Sequence, residues 1–199
     1  EGQDFPGWIY SSALMTVIVG ILVLQPDIGM TLMVVLTWGF QMFLAGMPML
    51  LVICIVALAP LGLVVAYFTL GHVHKRINQF WEGGAWQVEK ARDSFANGGL
   101  FGVGPGDGTV KHHLPDAHSD VIFAVAGEEF GALACLTLLT LYAFIVLRGF
   151  SRAMSDEGLF CLIASASLLL QFGVQAAIHM ASSVHLIPSK GMTLPLISY

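Results

Sequence analysis

The sequence predicts an all-α, polytopic transmembrane helix bundle, with five spans and one large polar loop. Three observations carry this reading. Of the 199 residues, 56% are hydrophobic and only 11% are charged, whereas a soluble domain carries roughly 25% charged residues. Mean hydropathy is +0.80. The apolar residues fall into runs long enough to cross a bilayer as helices, which takes roughly 17–25 residues each.

The runs are Trp8 to Leu24, Ile28 to Ala45, Met49 to Leu70, Val121 to Leu147 and Gly158 to Ala181. Helices follow because no water is present inside a bilayer to satisfy an open backbone. Pro60 is expected to kink the third run. Links of three residues, 25–27 and 46–48, join the first three runs and make them antiparallel neighbours.

The stretch from Gly71 to Asp120 interrupts the pattern. It holds five of the eight basic residues, six acids and five of the seven histidines. A loop this long within a compact domain points to function. Within it, Gln87 to Ala96 reads as a short amphipathic helix lying on the membrane surface. Asn97 to Gly108 is glycine-rich and reads as irregular.

The formal net charge of -5 argues against a nucleic-acid partner. Cys54, Cys135 and Cys161 sit in apolar runs and read as small core residues rather than disulfide or metal ligands. The chain begins at Glu1 with no signal-peptide pattern and ends at Tyr199 in a loop-like stretch. It reads as a piece of a longer protein. Five spans put the long loop, the 25–27 turn and the tail on one side, with Lys75, Arg76, Lys90, Arg92, Lys111 and Lys190. Arg148 and Arg152 fall on the other. Charge bias alone would make the loop cytoplasmic.

Three blocks carry a family resemblance. The first is Gln25-Pro-Asp-Ile-Gly29. The second runs from Asn97-Gly-Gly-Leu-Phe-Gly-Val-Gly-Pro-Gly-Asp-Gly108 through Lys111 to Leu114-Pro-Asp-Ala-His-Ser-Asp-Val-Ile-Phe-Ala-Val-Ala-Gly-Glu-Glu-Phe-Gly131. The third is Leu186-Ile-Pro-Ser-Lys-Gly-Met-Thr-Leu-Pro-Leu-Ile-Ser-Tyr199. In this order they resemble the SEDS family (FtsW/RodA/SpoVE) of peptidoglycan glycosyltransferases, closest to its cell-division branch. Val121 stands where the family usually has Phe, and His179 where Asn is expected. The family has about ten spans, so the chain corresponds to a C-terminal half.

The resemblance implies a multi-pass protein of the bacterial cytoplasmic membrane that polymerises lipid II into glycan strands during septal cell-wall synthesis. It implies a class B penicillin-binding protein transpeptidase and other divisome membrane proteins as partners. It also places the 71–120 loop outside the cell, against the charge bias. A lipid II flippase or transporter, and a non-catalytic division scaffold, are the alternatives.

Read on its own, Asp120 at the loop–helix junction is either a helix N-cap or a general base. The resemblance makes it the catalytic residue, which would take the proton from the acceptor sugar hydroxyl. Lys111 and Lys190 are candidates to bind the pyrophosphate, because cations commonly offset developing phosphate charge. Interfacial snorkelling is the other reading for both, and anchoring is preferred for Lys75 and Arg76. Asp27 caps the second helix, contributes to the substrate site, or does both.

Glu128 lies in the i, i+4, i+8 course that starts at Asp120 and passes through Ala124, on the order of 12 Å along the helix. A structural hydrogen-bond network is favoured for Glu128 and Glu129, with substrate binding by Glu128 as the functional reading. His118 is grouped with the substrate-binding candidates through its motif. The loop glycines read as a flexible hinge, with backbone contact to the pyrophosphate as the alternative. No cofactor is certain. A weakly held Mg²⁺ or Mn²⁺ at carboxylates ranks ahead of a metal held by His112, His113 and His118. Finally, Ser167, Gln171, Gln175 and His179 recur every four residues and should face the bundle interior.

Overall fold

The computed structural model describes residues 7–25, 27–48, 50, 64, 67–68, 71, 74–75, 78, 86–109, 122–155, 158–184, 186–187 and 192–198. Among these the ordered elements are helices: α1 (Gly7–Leu24), α2 (Ile28–Leu44), α3 (Trp86–Gly98), α4 (Ile122–Ala153) and α5 (Leu159–Ser183). Three of them, α1, α4 and α5, are long and apolar enough to cross a membrane, and the apolar part of α2 is shorter. Most of the third expected span, with Pro60, lies outside the described residues.

The α1–α2 hairpin turns at Asp27, whose side chain accepts a hydrogen bond from the Met30 N–H at 3.0 Å and so caps α2. Thr31 closes the same turn through its Oγ, which donates to the Asp27 carbonyl at 2.6 Å. Lower in the hairpin, Trp38 Nε1 donates to Ser11 Oγ at 3.2 Å. α2 leans on α5 and touches α4 through an edge-to-face contact between Phe40 and Phe150, with centroids 6.1 Å apart.

α4 and α5 form the main helix pair. Small residues let them approach: a Cβ at Gly149 would lie 2.5 Å from Leu169 Cδ2, and one at Gly173 would lie 3.0 Å from Val146 Cγ2. Tyr142 stacks on Phe172, with centroids 5.3 Å apart. Phe123, Cys135, Tyr142, Ala176, Met180 and Leu194 make the core, flanked by Phe95, Ile122, Leu138 and Phe172. Of the cysteines expected in the core, Cys135 is there, Cys161 is instead exposed, and Cys54 lies outside the described residues.

α3 covers the expected amphipathic stretch and docks on the start of α4. Ser94 and Gly98 are buried in that contact, and Phe95 meets Phe123 at 6.0 Å. One face of α3 is therefore packed against protein.

α4 is not continuous. Gly131 breaks it with φ 79 and ψ 178, a left-handed conformation that L side chains rarely adopt. The part beyond the break, from Ala132 to Ala153, is about 33 Å long at 1.5 Å per residue, enough to span a hydrocarbon core of about 30 Å. A break in a membrane helix is tolerated where other protein groups satisfy the freed backbone. Here the glycine-rich segment after α3 does so.

Candidate functional site

The glycine-rich segment lies against the break and exchanges hydrogen bonds with both of its sides. Val103 and Gly104 donate their N–H groups to the carbonyls of Glu128 and Glu129 at 3.0 and 3.1 Å. Beyond the break, Ala132 and Leu133 donate to the carbonyls of Gly99 and Leu100 at 2.9 and 3.3 Å. Absent side chains make this approach possible. A Cβ at Gly98 would lie 2.0 Å from the Gly127 carbonyl oxygen, and one at Gly102 would lie 2.2 Å from that of Glu129.

These glycines therefore serve close packing, and the hinge expected at this segment is instead a docked loop. The backbone contact to pyrophosphate also changes at two positions, because the N–H groups of Val103 and Gly104 are already used.

Glu128 secures the far end of the loop. It is fully buried, and its Oε1 accepts from the Thr109 N–H at 2.9 Å. Thr109 Oγ1 and Asn97 Nδ2 lie at 3.4 Å from the same oxygen. Gly108 packs beside it, where a Cβ would be 3.0 Å from Glu128 Oε2. One carboxylate thus ties α4 to residues at both ends of the loop, the network favoured for it from sequence. Glu129 also packs beside Gly108, where a Cβ would be 3.2 Å from its Cγ, and it lines a groove of about 540 Å³ with Ile122, Val125, Ala126, Phe130, Leu138 and Ile197 among others.

The C-terminal block folds back onto the same bundle. His179, fully buried, donates from Nδ1 to the Met192 carbonyl at 2.6 Å. The carbonyl can only accept, so this contact places a proton on Nδ1. Gln175 Nε2 donates to the Thr193 carbonyl at 3.0 Å, and the Tyr142 hydroxyl donates to the Pro195 carbonyl. Three side chains thereby hold three nearby carbonyls. The turn beyond is closed by Ser198 Oγ, which accepts from the Leu194 N–H and donates to the Leu194 carbonyl.

The first block meets the third at this point. A Cβ on Gly29 would sit 3.5 Å from Asp27 Oδ1 and 3.6 Å from Met192 Sδ. Gly29, two residues after the α2 cap Asp27, is thus the point where the first block packs beside the C-terminal block.

The four-residue stripe on α5 splits by height. Gln175 and His179 hold the C-terminal block. Gln171 lines a cavity of about 230 Å³ with Ser11, Met33, Thr37, Trp38 and Gln41 among its neighbours. Ser167 is buried and donates to the Ile163 carbonyl of its own helix at 2.6 Å.

Of the candidate site residues, the structure describes Asp27 and Glu128. Asp120, Lys111, His118 and Lys190 lie outside the described residues, as do His112 and His113. Among the described residues no group of three or more His, Cys, Asp or Glu side chains comes together. Sequence reasoning missed Asn97 and Thr109 as partners of Glu128, and Tyr142 as a clasp for Pro195. One signal was available for the first pair. Gly127 and Gly131 bracket Glu128 at a spacing of four, which marks a face prepared for close backbone approach.

Comparison with known proteins agrees with this architecture. A family model described as cell cycle protein, FtsW/RodA/SpoVE, matches residues 3–199. A relative from Caulobacter vibrioides, named probable peptidoglycan glycosyltransferase FtsW, is 38% identical over 202 residues, covering 100% of this chain and 52% of the relative. One from Mycobacterium leprae, named peptidoglycan glycosyltransferase RodA, is 32% identical and covers 94% of this chain and 41% of its own length. A solved chain from work described as structural coordination of polymerization and crosslinking by a peptidoglycan synthase complex superposes with a TM-score of 0.75. It is 25% identical, over 95% of this chain and 55% of that one. The chain spans about half the length of the curated relatives it matches. It belongs to the FtsW/RodA/SpoVE family of cell cycle proteins.

Proposed function

We propose that this chain is part of a peptidoglycan glycosyltransferase that polymerises lipid II during septal wall synthesis, from the outer face of the bacterial cytoplasmic membrane. The chain would contribute five spans and an extracytoplasmic loop, residues 71–120. A class B penicillin-binding protein transpeptidase would be its partner, alongside other divisome membrane proteins. The names of the relatives support the reaction, and the peptidoglycan synthase complex among the solved structures supports a transpeptidase partner.

The single observation that favours this reading is the convergence of the three sequence blocks. Gly29 packs beside Met192. The glycine-rich loop is fixed to α4 by Glu128. Ile197 closes a groove with Ile122 and Glu129, and Ile122 lies two residues beyond Asp120 in sequence. An apolar groove with an acid, Glu129, in its wall suits a substrate with a lipid tail and a polar head at the membrane surface.

In the proposed step Asp120 takes the proton of the acceptor GlcNAc hydroxyl as its oxygen attacks the donor anomeric carbon. A new C–O bond forms there while the bond to the pyrophosphate breaks. Undecaprenyl pyrophosphate leaves with the electron pair. Lys111 and Lys190 would offset its charge. His118 and Asp27 would line the substrate, and Glu128 would hold the loop beside it. Asp27 would also help hold a Mg²⁺ or Mn²⁺ ion, whose chemistry there would be neutralisation of the same charge.

The experiment is to supply lipid II to the full-length protein with its transpeptidase partner. Glycan polymer supports a transferase. Translocation of lipid II across vesicles without polymer would instead make it a flippase. Neither activity would leave a scaffold.

A further inference from the structure

The tip of the glycine-rich loop is apolar and outward-facing. Leu100 is 64% exposed and Phe101 80%, and Val103 is exposed as well. Phe130 and Leu133 of α4, also exposed, flank the docked backbone of this tip. Five exposed apolar residues thus gather where the loop is hydrogen-bonded to the helix, and together they make an apolar patch. Solvated loops rarely present such a patch unless something covers it.

The fold gives the depth of this patch. The far end of α4 carries Arg148 and Arg152, both exposed, and cationic side chains place a helix end at the membrane interface. From these two residues back to Gly131 is about 26 to 32 Å along the helix, against a hydrocarbon thickness of about 30 Å. Gly131 therefore falls at the opposite boundary of the hydrocarbon. The loop tip is hydrogen-bonded to residues on both sides of Gly131 and shares that level. The patch also continues, through Leu133 and Leu136, into the exposed apolar side of a helix suited to lipid.

We propose that the Leu100–Val103 tip is a lipid wedge, inserting Leu100, Phe101 and Val103 among the acyl chains at the bilayer boundary and so anchoring the glycine-rich loop. Aromatic and aliphatic side chains suit that level, where apolar bodies are buried and the backbone meets polar headgroups. Much of the backbone here is satisfied by protein, since α4 takes up the N–H groups of Val103 and Gly104 and the carbonyls of Gly99 and Leu100, and the Gly98 carbonyl accepts from the Gly102 N–H. The inference requires that α4 crosses the membrane. It does not depend on the reaction proposed above.

The test uses the full-length protein in liposomes, with Cys54→Ala, Cys135→Ala and Cys161→Ala as background. A nitroxide is attached at Phe101→Cys, and in a separate sample at Pro105→Cys, an exposed position farther along the same loop. Collision with dissolved oxygen reports lipid, and collision with a water-soluble nickel chelate reports solvent. The wedge predicts an oxygen-to-nickel ratio several-fold higher at 101 than at 105. Equal ratios with free access to nickel would overturn it, leaving a solvated patch open to a protein partner. Protection from both reagents at 101 would also overturn it, because the patch would then be covered by protein. Leu100→Cys supplies the same reading if Phe101→Cys does not fold.

Discussion

Replacing Gly102 by alanine should dislodge the glycine-rich loop from the broken helix, while the same change at Gly106 should not. Both glycines have positive φ, +82 and +87, so each alanine carries a similar left-handed backbone cost of roughly 1–2 kcal/mol. That cost cancels in the comparison. What differs is the space around the new methyl group. At Gly106 nothing lies within 4 Å. At Gly102 the Cβ would meet the Glu129 carbonyl oxygen at 2.2 Å, its carbon at 2.5 Å and the Phe130 nitrogen at 2.6 Å. All three are backbone atoms, which cannot swing aside as a side-chain tip can. The loop must retreat, breaking the bonds from Val103 to Glu128 and from Gly104 to Glu129. At about 0.5–1.5 kcal/mol net per bond, Gly102→Ala should cost about 1–3 kcal/mol more than Gly106→Ala. Hydrogen exchange at Val103 and Gly104 in the full-length protein reads this directly. Protection should fall about fivefold or more in Gly102→Ala relative to Gly106→Ala. Equal protection in the two variants would refute the docked-loop account.

Two further outcomes follow from the same geometry. Glu128→Ala removes the acceptor for Thr109 and Asn97 and should destabilise the protein by about 1–3 kcal/mol. Glu128→Gln keeps an acceptor oxygen and should cost less, with activity retained in the folded fraction. Thermal unfolding of both variants checks the order, and a stable but inactive Glu128→Gln would move this residue into the reaction itself. For the orientation of the loop, Ala96→Cys in a cysteine-free background should react with an impermeant thiol reagent in intact spheroplasts. Ala96 is exposed on α3, whereas Ser94 is fully buried and would stay silent on either side. Labelling only after lysis would reverse the orientation.

The membrane character of the chain was legible because it rests on run length and on scarce charge, which are properties of single segments. The α5 stripe was legible for a similar reason. A spacing of four keeps Gln175 and His179 on one face, though not what that face would meet. The break at Gly131 was not legible. A glycine inside an apolar run is compatible with an unbroken, closely packed helix, and the sign of φ depends on which loop arrives beside it. The glycines at 98 and 102 misled for the same reason. Freedom of the backbone and close approach both call for glycine, and only the partner distinguishes them.

Glu128 was expected in a network, yet its partners Asn97 and Thr109 sit 31 and 19 residues away, beyond any periodicity argument. The family resemblance made Asp120, Lys111, His118 and Lys190 candidates, and all four lie outside the described residues. Their roles rest on motif and chemistry.

Asp120 therefore provides the most direct test. Asp120→Asn keeps size and most of any capping ability, and a lost cap costs at most about 2 kcal/mol. It removes the oxygen able to take a proton, and a general base contributes on the order of 10²–10⁴-fold in rate. The measurement is the rate of lipid II polymerisation by full-length wild type and Asp120→Asn, each with its transpeptidase partner and at matched folded concentrations. The account predicts a folded variant that retains lipid II and its partner but makes less than about a hundredth of the wild-type glycan. Polymerisation at more than about a tenth of the wild-type rate would contradict it.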